Sequence, residues 1–413
     1  MLYDIVFSDQ AREVQATARE IAEKHVRPLA AKYDRAQEYN REAARAVADA
    51  GLFRTFIPRE YGGSGAGILA LALVTEELAR ADSGFGVAFA VNALGSFPII
   101  VGGTEEQKQR ILPQVARGEK FMAFCLSEKY AGSDAGGLAV TAEQDGDEYV
   151  IRGEKKWTTN GGIADYYSVF CVTDPESKSR RISALIVEKD RPGFAVKKIE
   201  DKMGIRCVPV VETHFDAVRV PAENLIGGRS GLGFKHAMMT LDRARPGVAA
   251  QAVGASQGAL DYAIVYANRR KQFGKPISSF QMVQQMLADM AMKTEAARWL
   301  VYAAAAAIDA GAEDISKLAA MGKCFAADTA MQVATDAVQI FGGYGFMEDY
   351  PVAKCFRDAK ILQIYEGTNQ IQRLVIARGL VREAEALGHL NDYIPAEVQR
   401  TYQEKGAEVV TGS

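Results

Sequence analysis

Cysteine, histidine and tryptophan are scarce in this chain, at five, four and two residues among 413. Cys125, Cys171, Cys207, Cys324 and Cys355 are odd in number, far apart and form no CxxC pair. They read as reduced thiols, which excludes a disulfide scaffold and a thiolate zinc site and points to a reducing, cytoplasmic setting. His25, His214, His236 and His389 are equally dispersed, so no metal is expected. Basic residues form no stripe, and the net charge is -3, so nucleic acid is not an expected partner. No apolar run reads as approaching the roughly 20 residues that cross a bilayer, so no membrane span is expected. The opening MLYDIVFSDQ lacks the basic and then apolar pattern of a secretory signal. No GxGxxG follows a strand-like segment, which disfavours a nicotinamide enzyme. There is no internal repeat and no low-complexity tract.

Apolar residues, in contrast, are plentiful at 48%, and a chain of this length is expected to divide into two or three packed units. Residues 1–121 read as an all-α domain. Ser8 is placed to cap a helix whose Val14, Ala18 and Ile21 share one face. TEEQ, from Thr104 to Gln107, is a capping box, and the helix it opens is expected to stop near Pro113. From about residue 122 to 233, short stretches such as YYSVFCV and ISALIVE, rich in β-branched and aromatic residues and separated by Gly, Asp and Pro, read as a β domain. Helical periodicity returns over 234–385. Val283, Met286, Leu287 and Met290 fit one helical face, and alanine-rich stretches suit close packing in a bundle. Residues 386–413 read as a more polar tail. The fold class is therefore α+β, with a β block set between two helical units.

Several motifs in a fixed order carry a resemblance: AGSD (131–134), KKWTTNGG (155–162), LDRARPGVAAQAVGASQGALDYA (241–263), RRKQFGKPISSFQ (269–281), AVQIFGGYGF (337–346) and IYEGTNQIQR (364–373). Over roughly residues 5–380 the chain resembles the acyl-CoA dehydrogenases. The resemblance implies an N-terminal helical domain, a middle β-barrel or sandwich and a C-terminal four-helix bundle. It also implies FAD, a homotetramer, and electron-transferring flavoprotein as electron acceptor.

The family reaction takes a proton from the carbon α to a thioester carbonyl, while hydride leaves the β carbon for flavin N5. Glu366 stands at the position of the family's catalytic glutamate. An unperturbed carboxylate, with a pKa of about 4.3, is too weak a base for such a carbon acid. A dry pocket that raises its pKa, and hydrogen bonds to the thioester oxygen, close the gap. By resemblance, the Glu366 backbone N–H and a flavin hydroxyl polarise the carbonyl. Tyr365 walls the pocket, Gly367 lets the chain pass close to ligand, and Thr368 and Gln370 touch FAD. On residue chemistry alone, Glu366 also reads as a cap for a helix starting near Thr368 or as a partner of Arg373. Some branched-chain and long-chain members carry the base near the proline after LDRAR; Ala244 stands there and cannot abstract a proton.

The resemblance assigns Phe124, Leu126, Ser127 and Ser133 to the flavin side, Ser133 also to substrate. It sets Trp157 and Thr159 against the flavin ring, with Trp157 also at the edge where the acceptor docks. Arg270, Phe273, Gln281, Gln339 and Gly343 would reach the FAD of a neighbouring subunit. The planar fork of Arg270 suits a pyrophosphate. Asp242 and Arg245 are implied CoA contacts, although Asp three residues before Arg also makes a helix-surface pair. Lys129 and Tyr130 replace the Pro-Gly usual before AGSD, which leaves the backbone course there open. The stretch 83–100 should line the acyl cavity with Phe85, Val87, Phe89, Ala90 and Val91. It holds no Arg or Lys, so a dicarboxylyl group is disfavoured and a short to medium, branched or cyclic apolar acyl group is expected. Two alternatives share the scaffold, an acyl-CoA oxidase and an enoyl-CoA reductase with an electron-bifurcating partner. A non-catalytic acyl-CoA or flavin-binding protein is a third.

Overall fold

The computed structural model describes residues 7–383, together with Glu397 and Arg400. The polar tail expected at 386–413 otherwise lies outside the described residues.

The first unit is helical. Helix α1 (Asp9–Ile21) starts where the Ser8 hydroxyl accepts the Ala11 N–H at 3.2 Å, and it buries Ala18 and Ile21. Two short helices follow, α2 (Ala30–Ala36) and α3 (Arg41–Asp49). Helices α4 (Gly67–Ala81) and α5 (Ser83–Gly102) meet at Asp82, whose carboxylate caps α5 by accepting the Gly84 N–H at 2.9 Å. Helix α6 (Glu105–Ala116) opens with both halves of the Thr104–Gln107 capping box.

Two expectations are corrected in this unit. Helix α6 runs through Pro113 to Ala116. The N–H that proline lacks is offset by burial of Val115 and Ala116 in the last turn, and Arg117 N still donates to the Pro113 carbonyl at 3.2 Å. Helix α5 is 20 residues long and, among the described residues, the one helix apolar and long enough to cross a membrane. It is buried within the protein instead, because α4, the helix after the β unit and the first strand all pack on it.

The middle unit is a seven-stranded sheet: β1 (Met122–Cys125), β2 (Thr141–Asp145), β3 (Glu148–Thr159), β4 (Tyr166–Val172), β5 (Ile182–Glu188), β6 (Phe194–Ile199) and β7 (Val210–Pro221). The order β1-β4-β2-β3-β7-β6 has β5 paired antiparallel to β4, while β1 runs parallel to β4. The long β3–β7 pair slips register between Lys155 and Thr158. Such a bulge re-aims a side chain, and here it turns Trp157 outward at φ +56°.

The last unit is helical again: α7 (Gly233–Arg269), α8 (Gln281–Asp309), α9 (Ile315–Phe341), α10 (Pro351–Leu362) and α11 (Asn369–Glu383). Met290 is buried on α8, and Val283, Met286 and Leu287 pack beside it on the face that the periodicity indicated. Helix α7 lies along α9 and also packs on α4 and α5, joining the two helical units. The approach is close because Gly254 and Gly258 have no side chain. A Cβ at Gly254 would stand 2.3 Å from the Glu76 carbonyl oxygen, and one at Gly258 2.4 Å from that of Arg80.

Candidate active site

Glu366 sits in the loop between α10 and α11, where two consecutive residues adopt left-handed backbone: Glu366 at φ +49° and Gly367 at φ +84°. For a glutamate this conformation costs roughly 1–2 kcal/mol, so the surroundings must impose it. The Gln372 side-chain amide donates to the carbonyls of Glu366 and Gly367, both at 3.0 Å. Lys323 Nζ donates to the Gly367 carbonyl at 2.8 Å and to Asn369 Oδ1 at 3.0 Å. The loop is closed at its base by Asn369 N donating to the Gln363 carbonyl at 3.0 Å.

The carboxylate has the features of a base. Glu366 Oε2 is buried and has no hydrogen-bond partner among the described residues. Burial pushes its pKa up to about 7, against the pull of the Arg245 and Lys323 charges. Neither structural role open to Glu366 on residue chemistry is realised. Thr368 Oγ1 caps α11 by accepting the Ile371 N–H at 3.2 Å. Arg373 pairs with Asp328 at 2.7 Å. Beside the base, the Tyr365 hydroxyl donates to Gln251 Oε1, and the Gln251 amide donates to the Ser83 carbonyl at 2.8 Å. The ring is thereby fixed against α5 and α7.

Asp242 and Arg245 pair on α7, and the Ser316 hydroxyl donates to the other oxygen of Asp242. This is no surface pair: Arg245 is only 6% exposed, and its Nε is buried without a partner among the described residues. Glu366, Tyr365 and Gly367 share one loop, and the Arg245 charge acts on Glu366.

Other candidate residues are placed as follows. Phe124 on β1 packs on Phe170 with ring centroids 5.0 Å apart. The carbonyls of Leu126 and Ser127 accept from Lys155 Nζ at 3.0 Å and from the Lys156 N–H at 2.9 Å. Glu128 and Ala131 exchange backbone bonds, so Lys129 and Tyr130 form the exposed tip of a tight turn, and Ser133 beyond it is exposed. The turn is anchored underneath: Glu128 accepts from Lys155 Nζ at 2.7 Å and from the Ala139 and Val140 N–H groups. Thr159 ends β3. Arg270 lies over the Tyr344 ring at 5.4 Å, joining the 270–281 hairpin to the turn that holds Gly343. Phe273, at the tip of that hairpin, is 92% exposed with φ +53°. Gln281, Gln339 and Gln370 are exposed as well. Phe89 is core: its ring packs on Phe53 and Phe56, with centroids 5.4 and 6.0 Å away. Phe85 stacks on Tyr39.

Sequence reasoning missed Lys323, Asn369, Gln372 and Gln251. For Lys323 a signal existed: it interrupts a face carrying Ala319, Ala320, Ala326 and Ala327, where a solvated lysine is out of place.

Family models for the acyl-CoA dehydrogenase N-terminal, middle and C-terminal domains match residues 8–119, 123–218 and 231–381. The chain belongs to the acyl-CoA dehydrogenase family, flavoprotein oxidoreductases that act on acyl-CoA thioesters. It is 48% identical over 382 residues to the probable acyl-CoA dehydrogenase fadE25 of Mycobacterium leprae, covering 92% of this chain and 98% of that protein. It is 45% identical to cyclohexane-1-carbonyl-CoA dehydrogenase of Geobacter metallireducens, covering 91% and 99%. Among solved structures, butyryl-CoA dehydrogenase from Megasphaera elsdenii superimposes with a TM-score of 0.88 at 43% identity, covering 91% and 99%. The non-catalytic alternative is thereby set aside.

Proposed function

We propose that this chain is an FAD-dependent acyl-CoA dehydrogenase in which Glu366 removes the α-proton of the thioester, giving a 2,3-enoyl-CoA. The observation that carries this reading is the buried, unpartnered Glu366 Oε2. A base whose pKa is raised to about 7 combines ionisation at neutral pH with the strength to take a proton from carbon. The Glu366 backbone N–H is the proposed donor to the thioester carbonyl, where negative charge develops as the Cα–H bond breaks. Tyr365 excludes water from the carboxylate. Asp242 and Arg245 hold the CoA portion.

The residues present fit a flavin. Trp157 and Phe273 are large aromatic rings held outward by left-handed backbone, and open space surrounds Gly343. Phe124, Leu126, Ser127, Ser133, Trp157, Thr159, Thr368 and Gln370 would hold the ring side. Arg270, Phe273, Gln281, Gln339 and Gly343 of a neighbouring subunit would hold the phosphate and adenine side. Bound FAD supplies the acceptor for the β-hydride. Exposed Phe273, Met282, Met292 and Phe346 in the C-terminal unit support assembly into a homotetramer, since isolated chains seldom leave so many large apolar groups in water. Exposed Trp157 supports electron-transferring flavoprotein as the acceptor.

The acyl group is proposed to be short to medium, branched or cyclic, and apolar. The α5 stretch carries no cation, and its Phe85, Val87, Ala90 and Val91 are apolar, while Phe89 packs in the core. Two relatives, named a butyryl-CoA and a cyclohexane-1-carbonyl-CoA dehydrogenase, agree with an apolar group, and a glutaryl-CoA dehydrogenase is less similar, at 36% identity. The test is anaerobic titration of the holoenzyme with a panel of acyl-CoA esters, following flavin absorbance. Bleaching by one apolar ester, lost in Glu366→Gln, is the expected result. Bleaching that survives the substitution, or fastest turnover with glutaryl-CoA, would overturn the base or the acyl assignment respectively.

A further inference from the structure

The loop that carries Glu366 is strapped to one helix at three points, all on α9. Asp328 holds both of its ends: Gln363 Nε2 donates to Oδ1 at 2.6 Å, and Asn369 Nδ2 donates to the same oxygen at 2.7 Å. The Cys324 carbonyl takes a second bond from Asn369 Nδ2 at 3.1 Å. Lys323 holds the middle, through the Gly367 carbonyl and Asn369 Oδ1. Its side chain is fully buried, so the ammonium has no water shell to stabilise it. A buried lysine is costly, and a neutral donor would satisfy both acceptors. The retention of a cation here calls for a use of the charge.

Resting on the assignment of Glu366 as base, we propose that Lys323 is a positioning residue for it: from α9 it tethers the strained Glu366–Gly367 backbone and supplies the buried positive charge that keeps the neighbouring carboxylate ionisable. The surroundings are consistent with that division of labour. The charged and titratable groups facing this region are Arg245 from α7, Asp328 and Cys324 from α9, and Glu366 and Tyr365 from the loop. Arg245 is already paired with Asp242, and Asp328 with Arg373. Among the described residues no carboxylate lies within ion-pairing distance of Lys323, and Glu366 is the acid that acts on it most strongly. Burial depresses the lysine to about 8, while Glu366 raises it. The two charges thus support one another in a dry site.

The test separates charge from tether. Lys323→Gln keeps an amide donor without charge; Lys323→Arg keeps charge and donors. Holoenzyme of each, with flavin content and melting temperature recorded, is followed by rapid anaerobic flavin bleaching with its best ester from pH 5.5 to 9. In Lys323→Gln the acid limb of the profile is expected to move about one pH unit upward, the size of effect a nearby opposite charge exerts on a carboxylate. In Lys323→Arg the limb should stay in place, even if the maximal rate falls. An unmoved limb in Lys323→Gln, or an equal shift in both variants, would overturn the proposal, since a merely structural lysine predicts lost flavin or lost rate at every pH. Should Lys323→Gln lose flavin, the arginine variant decides alone: a displaced limb overturns the proposal, and a retained one supports it. Glu366→Gln, measured alongside, distinguishes the two readings, because activity in that variant removes the base assignment itself.

Discussion

Lys354 Nζ lies 2.9 Å from Asp82, the residue that caps α5, and also pairs with Asp358 one turn along α10. Asp358 in turn accepts the Ile205 N–H at 2.6 Å. One largely buried cation therefore joins the N-terminal helices, the middle domain and the helix that leads into the Glu366 loop. Both acids are nearly inaccessible, at 2% side-chain exposure. Removing the cation leaves buried carboxylates unpaired. Lys354→Met should cost about 3–5 kcal/mol of stability, read as a lowered melting temperature of the holoenzyme. A loss below about 1 kcal/mol would mean that the acids simply take up protons.

The raised pKa of Glu366 has consequences in two directions. With Glu366 as the proposed base, the rate of flavin bleaching should rise with pH and reach half its plateau near pH 7. Stability should run the other way. In the unfolded chain the group titrates near 4.5, and in the folded chain near 7. Between those values the folded state binds more protons, so the contribution of Glu366 to stability falls as pH rises through that window. Glu366→Gln should therefore be more stable than the parent at pH 8, by on the order of 2 kcal/mol, and equal to it at pH 4. Denaturant midpoints at the two pH values check this. An advantage that is the same at both would assign the effect to packing.

Gly367 is held by geometry more than by chemistry. A Cβ there would stand 2.5 Å from Gln372 Nε2, the amide that binds the two carbonyls of the loop, and φ is +84°. Gly367→Ala should displace that amide and release the loop. The expected cost is about 1–3 kcal/mol in stability and at least tenfold in turnover, with flavin content retained. Unchanged turnover would mean that the loop's conformation does not govern the chemistry.

The candidate base was legible in the sequence because IYEGTNQIQR keeps a carboxylate, an aromatic ring and a glycine contiguous. The alternation of helical and β units was legible for the same local reason: periods of 3.6 and 2 are written over neighbouring residues. What holds the site was not. Lys323 reaches Gly367 from 44 positions away, Lys155 reaches Glu128 from 27, and Gln251 reaches Tyr365 from 114. A single lysine or glutamine carries no period, so its partner emerges only when the elements are packed. The same limit explains α5 and Pro113. Whether a run of apolar residues faces lipid or protein, and whether a proline ends a helix, depends on what the rest of the fold sets against it.

The Lys129–Tyr130 turn, which stands where the family resemblance implies Pro-Gly, tests how much a tip matters when its base is fixed. Neither residue has positive φ, so the turn needs no glycine. Its conformation is held from below by Glu128, buried and bound to Lys155 and two backbone N–H groups. Tyr130 is 87% exposed and touches the Lys129 ammonium at 5.2 Å, a contact worth about 0.5–1 kcal/mol at such a site. Restoring Pro-Gly through Lys129→Pro with Tyr130→Gly should therefore change stability by less than about 1 kcal/mol, since proline suits the second position of such a turn. Glu128→Gln should cost about 3 kcal/mol or more, because it leaves the fully buried Lys155 cation unpaired. Melting curves of both variants decide between tip and base. If the tip variant were the more damaging, the turn itself, and not the ion pair beneath it, would be setting the course of the chain toward Ser133.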